Sequence, residues 1–448
     1  MKRLFGTDGI RGKAGVFPLD QATIAVIGRS LAEHLREKTG ENPRFVIGRD
    51  TRESGNWIEE AFCSGANSVG GSCQTAGVIT TPGVAFLTRT AGFDAGIVIS
   101  ASHNPFEDNG IKIFSPSGRK LNEETERLIE KDIFEGAGEG EIPSAEKPDS
   151  ASVSDFQKSY LDYLSGEFKG LSLKNFKMVM DCANGASSEL APRLFRRFDA
   201  ETVVINNRPD GRNINHNCGS LHLESLQQKV LEEKADFGVA FDGDADRSLF
   251  VDERGRIVDG DAVLWVMARH LKALGQLKNN TIIATVMSNL GLEVALKSAD
   301  VTLLRTQVGD KYVLEELLRT NSSVGGEQSG HIIFPDKSLV GDGMFTALYL
   351  LEALRSAEKK LSEMTAGFMQ FPQILVNIKV REKIPFGEVP KIDESARRIE
   401  AELGDRGRLL LRYSGTENLA RVMIEGENQR EIEDQAGRLA GVIEESLG

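Results

Sequence analysis

Short apolar runs along the chain end in clusters of polar residues, and longer stretches with helical periodicity lie between them. Five such runs are RFVIGRDTR, GIVISASHN, KMVMDCANG, FGVAFDGDADR and IIATVMSNLG, at 44–52, 96–104, 177–185, 237–247 and 282–291. Their β-branched and aromatic residues, bounded by Gly, Asn and Asp, predict strands. Apolar positions with helical spacing follow at 58–69, 223–234 and 262–274. The alternation predicts α/β domains, in which ligands bind at the carboxyl ends of strands.

Changes in composition divide the 448-residue chain further. Residues 135–152 are rich in Gly, Pro, Ser and charge without an apolar period, which predicts a linker or exposed excursion. Weaker boundaries fall around 252–260 and 368–373, and beyond the second, VNIKVREK and RLLLRYSG are typical of strands in a small α+β domain. We therefore expect domains at 1–150, 151–253, 254–368 and 369–448.

Composition excludes several classes of protein. The chain has 54 Lys+Arg against 67 Asp+Glu, a net charge of −13, and no basic block that could follow a nucleic-acid backbone. An anionic small substrate would need a local arginine cluster. The four cysteines lie far apart without a C-x-x-C pair, so we expect reduced thiols rather than a zinc ribbon or disulfide framework. No apolar run approaches the ~18 residues of a membrane span, and we expect a cytoplasmic protein.

The segment FGVAFDGDADR places Asp242, Asp244 and Asp246 at alternate positions directly after a predicted strand. Three carboxylates in one tight loop can face a common centre, where a hard divalent cation such as Mg²⁺ relieves their repulsion. An EF-hand is excluded because Arg247 replaces the required glycine and the incoming segment is strand-like. The remaining alternative is an acidic surface turn.

In VISASHNP, a predicted strand leads into Ser102 and His103. A serine just past a strand end can act as a nucleophile or carry a covalent phosphoryl group. A capped turn is the alternative for this segment taken alone. In the following NGIKIF, Lys112 is a candidate acid/base group or phosphate partner, or else an exposed strand lysine.

The segment GGEQSGH, residues 325–331, combines glycines that allow a sharp turn with Glu327, Ser329 and His331. These side chains supply the acceptors and donors that sugar hydroxyls require. The alternative is a glycine-rich turn whose polar side chains face water.

In RYSGTENLAR, Ser414, Gly415 and Thr416 are predicted to open a helix. Its free N–H groups, together with Arg412 and Arg421, could converge on a phosphate. A plain helix N-cap is the alternative. Arg11, Arg49 and Arg52 lie in the glycine-flanked turns FGTDGIRG and GRDTRESG, either as further anion partners or as ordinary turn charges.

Taken together, FGTDGIRG, SASHNP, DGDADR, GGEQSGH and RYSGTENLAR occur in this order across nearly the whole chain, and the set resembles the α-D-phosphohexomutase family. Within that family, the opening motif, the loop TQVGDKYV at 306–313 and Gln328 resemble the branch that acts on glucosamine phosphates. The resemblance implies three α/β/α layered domains with mixed sheets and a smaller α+β C-terminal domain around a central cleft.

The resemblance also implies roles for single residues. Ser102 would be the phosphoserine, and Asp242, Asp244 and Asp246 would bind Mg²⁺ beside its phosphate, with Ser102 itself as a further ligand. Glu327 and Ser329 would bind sugar hydroxyls. The non-reacting phosphate would be held by Arg412, Ser414, Gly415, Thr416 and Arg421. Catalytic positions whose division between acid/base and electrostatic roles stays open are Arg11, His103, Lys112, Arg247 and His331.

The implied activity is the interconversion of glucosamine 1-phosphate and glucosamine 6-phosphate by an intramolecular phosphotransferase. Phosphoserine and a bisphosphate would be the intermediates, and glucosamine or glucose 1,6-bisphosphate the activator. Three carboxylates and a phosphoserine of about −1.5 to −2 charge would require nearby cations. A mutase for mannose or glucose phosphates, or a metal-dependent sugar phosphatase, are the alternatives. Partners would be the small hexosamine phosphate, with a homodimer as a candidate assembly and neither nucleic acid nor membrane.

Overall fold

The computed structural model describes residues 3–136, 147–414 and 418–448. Its strands are β1 (Phe5–Gly6), β2 (Gly9–Lys13), β3 (Arg44–Arg49), β4 (Ser72–Val78), β5 (Ala95–Ile99), β6 (Asp108–Phe114), β7 (Lys177–Asp181), β8 (Glu201–Ile205), β9 (Phe237–Phe241), β10 (Ser248–Asp252), β11 (Ile257–Val258), β12 (Thr281–Thr285), β13 (Thr302–Thr306), β14 (Gly325–Gly326), β15 (Ile332–Ile333), β16 (Gln373–Lys379), β17 (Gly407–Tyr413) and β18 (Leu419–Gly426). Its helices are α1 (Gln21–Thr39), α2 (Gly55–Asn67), α3 (Thr81–Thr90), α4 (Glu123–Gly136), α5 (Val153–Glu167), α6 (Ser187–Phe195), α7 (Glu224–Glu233), α8 (Gly260–Ala273), α9 (Leu290–Ser298), α10 (Asp310–Thr320), α11 (Gly343–Ala357), α12 (Leu361–Met364), α13 (Pro390–Leu403) and α14 (Gln429–Leu447).

The chain forms two compact units. The larger unit contains residues 1–285 and 306–365, and the smaller unit contains residues 286–305 and 366–448. Each unit is described by itself below.

The first sheet of the larger unit has the strand order β1-β2-β6-β5-β3-β4. Strand β3 pairs in parallel with β4 and β5, whereas β6 runs antiparallel to β5 and β2. All five residues of β5 are buried, as expected for a strand in the middle of a sheet. Its carboxyl end at Ile99 therefore delivers the following polar residues to one edge of the sheet.

The second sheet has the order β11-β10-β9-β7-β8, with β7 parallel to β8 and β9, and β10 antiparallel to β9 and β11. Strand β9 is buried along its whole length and ends immediately before Asp242. In the third sheet β12 runs parallel to β14, and β14 is antiparallel to β15. Residues 327–331 form the connection between β14 and β15.

The helices α1 and α2 pack closely because glycines lie at their crossing. A Cβ on Gly28 would come within 2.2 Å of Phe62 O, and one on Gly65 within 1.9 Å of Ala25 O. The helix α1 begins where the Asp20 side chain accepts the Thr23 N–H and ends at Gly40, whose φ is 77°. Together with strands of the first sheet, these helices enclose the main hydrophobic core of this part of the unit.

The smaller unit contains the antiparallel sheet β16-β18-β17. One face packs on α13 and α14 through a core that includes Ile392, Leu439 and Ile443. The helix predicted to open at Ser414 is wrong: Ser414 follows β17, its N–H donates to Leu419 O at 2.8 Å, and β18 starts at Leu419. Strands β17 and β18 are antiparallel neighbours, so the chain returns into the sheet at Leu419 where a helix was predicted.

The predicted α/β class with mixed sheets and a smaller α+β C-terminal region is confirmed by these strand pairings. Most of the predicted linker, residues 137–146, lies outside the described residues. The four cysteines are buried, and no disulfide joins them. Among the described helices, none has the length and apolar character needed to cross a bilayer.

Candidate active site

Ser102 lies in a buried turn directly after β5, and residues 100–105 are called the serine turn here. The φ of Ser102 is 53°, a left-handed conformation in which non-glycine residues are strained and which clusters at functional sites. Its N–H donates to Ser100 Oγ at 2.9 Å, and Ser100 Oγ donates to Asp50 Oδ2 at 2.6 Å. Its own Oγ donates to Asp242 Oδ2 at 2.6 Å. The predicted nucleophile thus contacts the predicted metal ligands.

Asp242, Asp244 and Asp246, called the carboxylate cluster, are all buried, with at most 5% of any residue exposed. One oxygen from each lies within 4.8 Å of the others. Asp244 Oδ1 and Asp246 Oδ1 have no hydrogen-bond partner among the described residues. Burial and the other two carboxylates raise the pKa of Asp242 well above its usual range. Buried, converging oxygens are the donor set of a divalent cation, so a metal site fits and a surface turn does not.

The backbone of the carboxylate cluster is held by neighbouring segments. A Cβ on Gly243 would come within 2.5 Å of Ser102 O, so only glycine lets the two turns approach this closely. Gly243 O accepts the Ala186 N–H at 2.8 Å. At the start of α3, Thr81 Oγ1 donates to Asp244 Oδ2 at 2.5 Å, and the Thr81 N–H donates to Asp244 O at 3.0 Å.

Lys112, on β6, reaches the carboxylate cluster from the first sheet. Its Nζ lies 2.8 Å from Asp244 Oδ2, 3.0 Å from Asp8 Oδ2 and 3.4 Å from Asp246 Oδ2, and its side chain is 1% exposed. Burial alone would lower the pKa of Lys112, but these three carboxylates raise it well above its usual range. Lys112 is therefore a permanent buried cation, and the exposed-lysine interpretation is wrong.

Asp8 connects Lys112 with two further cations. Arg11, on β2, pairs with Asp8, and Lys120 Nζ lies 2.6 Å from Asp8 Oδ1. Burial opposes ionisation of Asp8, yet Lys112, Lys120 and Arg11 lower its pKa far below the usual range. Lys120 also pairs with Asp310 at 2.6 Å, which ties the first residue of α10 to this network.

His103 and Arg247 lie beside the Ser102 hydroxyl. His103 Nδ1 is 3.5 Å from Ser102 Oγ and accepts from Arg247 Nη1 at 3.2 Å. Burial, together with the positive charges of Arg247 and Arg11, lowers the pKa of His103 to about 4. The ring is therefore neutral at pH 7, with its lone pair on Nδ1. The backbone N–H of Arg247 donates to Asp242 Oδ1 at 3.2 Å.

His331 approaches the carboxylate cluster from the third sheet. Its Nδ1 lies 3.7 Å from Asp246 Oδ2, and its Nε2 accepts the Gly341 N–H at 3.0 Å. Burial alone would lower the pKa of His331, but Asp246 and Asp310 raise it. Because Nε2 is an acceptor, the neutral ring carries its proton on Nδ1, facing Asp246.

The connection between β14 and β15 places Glu327 and Ser329 in half-buried positions. Glu327 Oε1 accepts the Gly309 N–H at 3.1 Å, so the loop at 306–313 orients this carboxylate. Gln328 Nε2 instead donates to Asp259 Oδ2 at 3.1 Å, while the other Asp259 oxygen caps α8 at Ala262. The side chain of Gln328 therefore supports a helix start.

In the smaller unit, Arg412 and Arg421 face each other across β17 and β18, and they are called the arginine pair. Asn377 lies opposite Arg421 on β16, so all three side chains share the sheet face turned away from the core. Burial and the charge of Arg421 lower the pKa of Arg412. Like charges placed opposite each other destabilise a sheet, and a bound anion would relieve that repulsion.

The segment after the arginine pair is described in part. Ser414 is buried, and its carbonyl accepts from Lys383 Nζ at 2.7 Å. Gly415 and Thr416, two of the predicted phosphate ligands, lie outside the described residues.

Family models for each domain type cover nearly the whole chain. The matches are phosphoglucomutase/phosphomannomutase alpha/beta/alpha domain I at residues 2–139, domain II at 158–255, domain III at 259–371, and the C-terminal domain at 375–442. The chain belongs to this phosphoglucomutase/phosphomannomutase family. The resemblance drawn from the five motifs is thereby confirmed, and the protein is an enzyme of the mutase type.

Similar proteins within the family include two curated phosphoglucosamine mutases. The one from Solibacter usitatus is 51% identical over 448 residues, covering all of this chain and 99% of the relative. The one from Caldicellulosiruptor saccharolyticus is 49% identical over 451 residues, covering both chains completely. The crystal structure of a phosphoglucomutase/phosphomannomutase family protein from Burkholderia thailandensis matches with a TM-score of 0.80 at 24% identity, covering all of this chain and 98% of that one, and supports the fold.

Two residues that contact the serine turn or its neighbouring cations were not singled out from the sequence. Asp50 and Lys120 gave no signal beyond ordinary turn charges. Arg52 was a candidate anion partner, but it is buried, pairs with Asp50 at 2.9 Å and donates to Ser102 O at 3.0 Å, so it supports the turn. Arg49 pairs with Glu59 at 3.2 Å. The periodicity of each strand placed these residues at strand ends but could not say which way their side chains turn.

Proposed function

We propose that the protein is a phosphoglucosamine mutase that interconverts glucosamine 1-phosphate and glucosamine 6-phosphate. The observation that carries the proposal is the contact between Ser102 Oγ and Asp242 of the carboxylate cluster at 2.6 Å, with the side chains of Lys112 and Arg247 near the cluster. A hydroxyl next to a divalent cation site and fixed cations is suited to carry a phosphoryl group. Curated relatives of the same length carry this activity in their names.

In the proposed cycle, phosphorylated Ser102 donates its phosphoryl group to the 6-hydroxyl of glucosamine 1-phosphate. The P–O bond to Ser102 breaks, the hydroxyl proton leaves the sugar, and a 1,6-bisphosphate forms. The bisphosphate reorients, its 1-phosphate returns to Ser102, and glucosamine 6-phosphate is released. Glucosamine or glucose 1,6-bisphosphate would restore phosphoserine after loss of the intermediate.

The carboxylate cluster would hold Mg²⁺, together with Ser102 through its phosphate. When bound, the cation supplies positive charge to the transferring oxygens. Lys112, Arg11 and Arg247 balance the remaining negative charge, since the pKa of each basic group stays above its usual value. His103 and His331 are the candidates for moving protons, because His103 Nδ1 lies 3.5 Å from Ser102 Oγ and His331 Nδ1 lies 3.7 Å from Asp246 Oδ2.

In this proposal, different residues bind the sugar and the phosphate that does not react. Glu327 and Ser329 bind sugar hydroxyls, and Glu327 is already oriented by the Gly309 N–H. Arg412, Ser414, Gly415, Thr416 and Arg421 bind the phosphate that does not react. This second phosphate site is what a mutase needs and a phosphatase does not.

The test is a comparison of turnover on glucosamine, glucose and mannose 1-phosphates, with and without Mg²⁺, while released inorganic phosphate is measured. We expect glucosamine phosphate to have the highest kcat/KM, a requirement for the cation, and little phosphate release. Faster turnover of mannose or glucose phosphate would favour the alternative mutase, and stoichiometric phosphate release would favour the phosphatase.

The domain boundaries at 150, 253 and 368, a cytoplasmic location and a homodimer stay predictions. Sedimentation of the purified enzyme tests the assembly. Limited proteolysis followed by mass determination tests the boundaries.

A further inference from the structure

We propose that Asn215 is a positioning residue for phosphoryl transfer, because its amide holds the serine turn in the orientation that faces Ser102 Oγ towards the carboxylate cluster. The assignment rests on the phosphoserine mechanism proposed above. It gives a task in catalysis to a loop that follows β8 and lies outside all five motifs.

Two side chains bind the carbonyl oxygens of the serine turn. Asn215 Nδ2 donates to Ser102 O at 2.8 Å and to Asn104 O at 3.0 Å. Arg52 Nη2 donates to the same two oxygens at 3.0 and 2.8 Å. Since both partners are carbonyls, only the nitrogen of the Asn215 amide can face them. The left-handed turn therefore has its carbonyls bound from two sides.

The two donors come from different sheets. Arg52 lies just after β3 in the first sheet, on the same sheet as the serine turn itself. Asn215 is bound to the second sheet. Its backbone N–H donates at 2.9 Å to the carbonyl oxygen of Ala183, which lies just after β7. Three residues after Ala183, the Ala186 N–H donates to the carbonyl oxygen of Gly243, which lies between Asp242 and Asp244 of the carboxylate cluster. Asn215 is thus a short link between the serine turn and the segment that supports the carboxylate cluster.

Further contacts hold the Asn215 loop against the first sheet. Arg212 Nε lies 2.7 Å from Glu53 Oε2, and the Glu53 N–H donates to Gly211 O at 2.9 Å. These contacts keep the loop in place when the Asn215 side chain is changed. The Asn215 amide itself fixes the position of Ser102 relative to Asp242. This position matters because in-line transfer is sensitive to shifts of about 1 Å.

The decisive variants are Asn215→Asp and Asn217→Asp. Both positions have left-handed backbones, with φ of 57° and 51°, and aspartate tolerates that conformation. Asn217 is exposed and its amide lies against the His216 ring at 3.3 Å, so it controls for the added charge in the same loop. Measurements on the full enzyme with Mg²⁺ are the melting temperature, phosphoserine content by intact mass, and kcat and KM for glucosamine 1-phosphate.

We expect Asn215→Asp to lower kcat about tenfold or more, with KM within about twofold and a melting temperature like that of Asn217→Asp. The carboxylate cannot donate to the two carbonyls. The loss should therefore appear in kcat, and Asn217→Asp should keep the wild-type kcat.

Equal kcat values for the two variants would overturn the assignment. So would a rise in KM at unchanged kcat, or a loss of activity that only follows a loss of folded protein. An inactive wild type would instead count against the proposed function, so the two failures are distinguishable.

Discussion

The carboxylate cluster in the larger unit and the arginine pair in the smaller unit bring together side chains of opposite charge: the first gathers anions and the second gathers cations. Around the cluster, buried anions already have cations close by: Lys112 Nζ lies 2.8 Å from Asp244 Oδ2, and Arg247 Nε lies 3.9 Å from Asp246 Oδ1. In the arginine pair, two half-buried cations face each other across neighbouring strands. The first region is organised before a ligand arrives, whereas the second is proposed to bind an anion.

This difference matches the two tasks proposed for these regions, phosphoryl transfer for the first and binding of the distal phosphate for the second. Phosphoryl transfer depends on groups that are fixed before the reaction, because reorganising charge during the reaction would raise the barrier. Holding a distal phosphate depends on affinity and must allow release. Changes in the larger unit's cluster should therefore lower kcat, and changes in the arginine pair should act first on kcat/KM.

The largest effect is expected for Ser102→Ala. It removes the phosphoryl carrier but little volume, so turnover should fall by about 10³-fold or more while the fold stays intact. Mutase turnover and the melting temperature are the two measurements. Ser117→Ala, at an exposed turn with a hydroxyl contact to Ser115, is the control. Normal turnover by Ser102→Ala would refute the phosphoserine mechanism.

A somewhat smaller loss is expected for Asp244→Asn. An amide oxygen is a poorer ligand for a hard cation, so the Mg²⁺ concentration for half-maximal activity should rise and kcat should fall by about 10²-fold. The check is a metal titration at saturating sugar phosphate. Asp199→Asn, an exposed residue with a left-handed backbone, serves as control. An unchanged titration curve would remove Asp244 from the metal site.

For the arginine pair, Arg421→Ala should lower kcat/KM for glucosamine 1-phosphate by about one to two decades, the equivalent of a charge-assisted hydrogen bond. Phosphoserine content should stay at the wild-type level. Added glucosamine 1,6-bisphosphate should restore more turnover in the variant than in the wild type, because the variant loses its intermediate more often. Arg430→Ala, exposed in the first turn of α14, is the matched control. Wild-type kinetics in both conditions would contradict the phosphate-binding role.

The last prediction concerns stability instead of turnover, at the buried carboxyl of Asp342. Asp342 accepts from Tyr160 Oη at 2.7 Å and from the Phe345 N–H, and burial raises its pKa from 3.8 to about 6. The stability it contributes is complete below pH 3.8 and is lost as the pH rises through about 6.

Compared with Asp342→Asn, the wild type should therefore lose up to about 3 kcal/mol of unfolding free energy as the pH rises from about 4 to about 6. Urea unfolding of both proteins across this range measures the difference. A constant difference would mean that the carboxyl is ionised in the folded protein like any exposed aspartate.

The sequence by itself determined much of this protein. The apolar runs placed β3, β5, β7, β9 and β12, because strands buried on both faces must be almost entirely apolar. Alternate aspartates after β9 and a serine after β5 predicted a site at strand ends, since the strands of such sheets present their carboxyl ends to ligands. The helix expected at Ser414 was wrong, because polar residues before an apolar stretch fit both a helix cap and a strand connection.

Only the tertiary structure decided which of these residues meet. Lys112 could have been an exposed strand lysine, and its position among three carboxylates depends on the pairing of β6 with β2 and β5. Asn215 lies outside the motifs and Arg52 was only a candidate anion partner, yet both bind the carbonyls of the serine turn. Local sequence sets periodicity and turn chemistry, but contacts between residues more than a hundred positions apart depend on how the sheets pack. The ion pairs that balance charge in the carboxylate cluster are contacts of this kind, so only the tertiary structure reveals them.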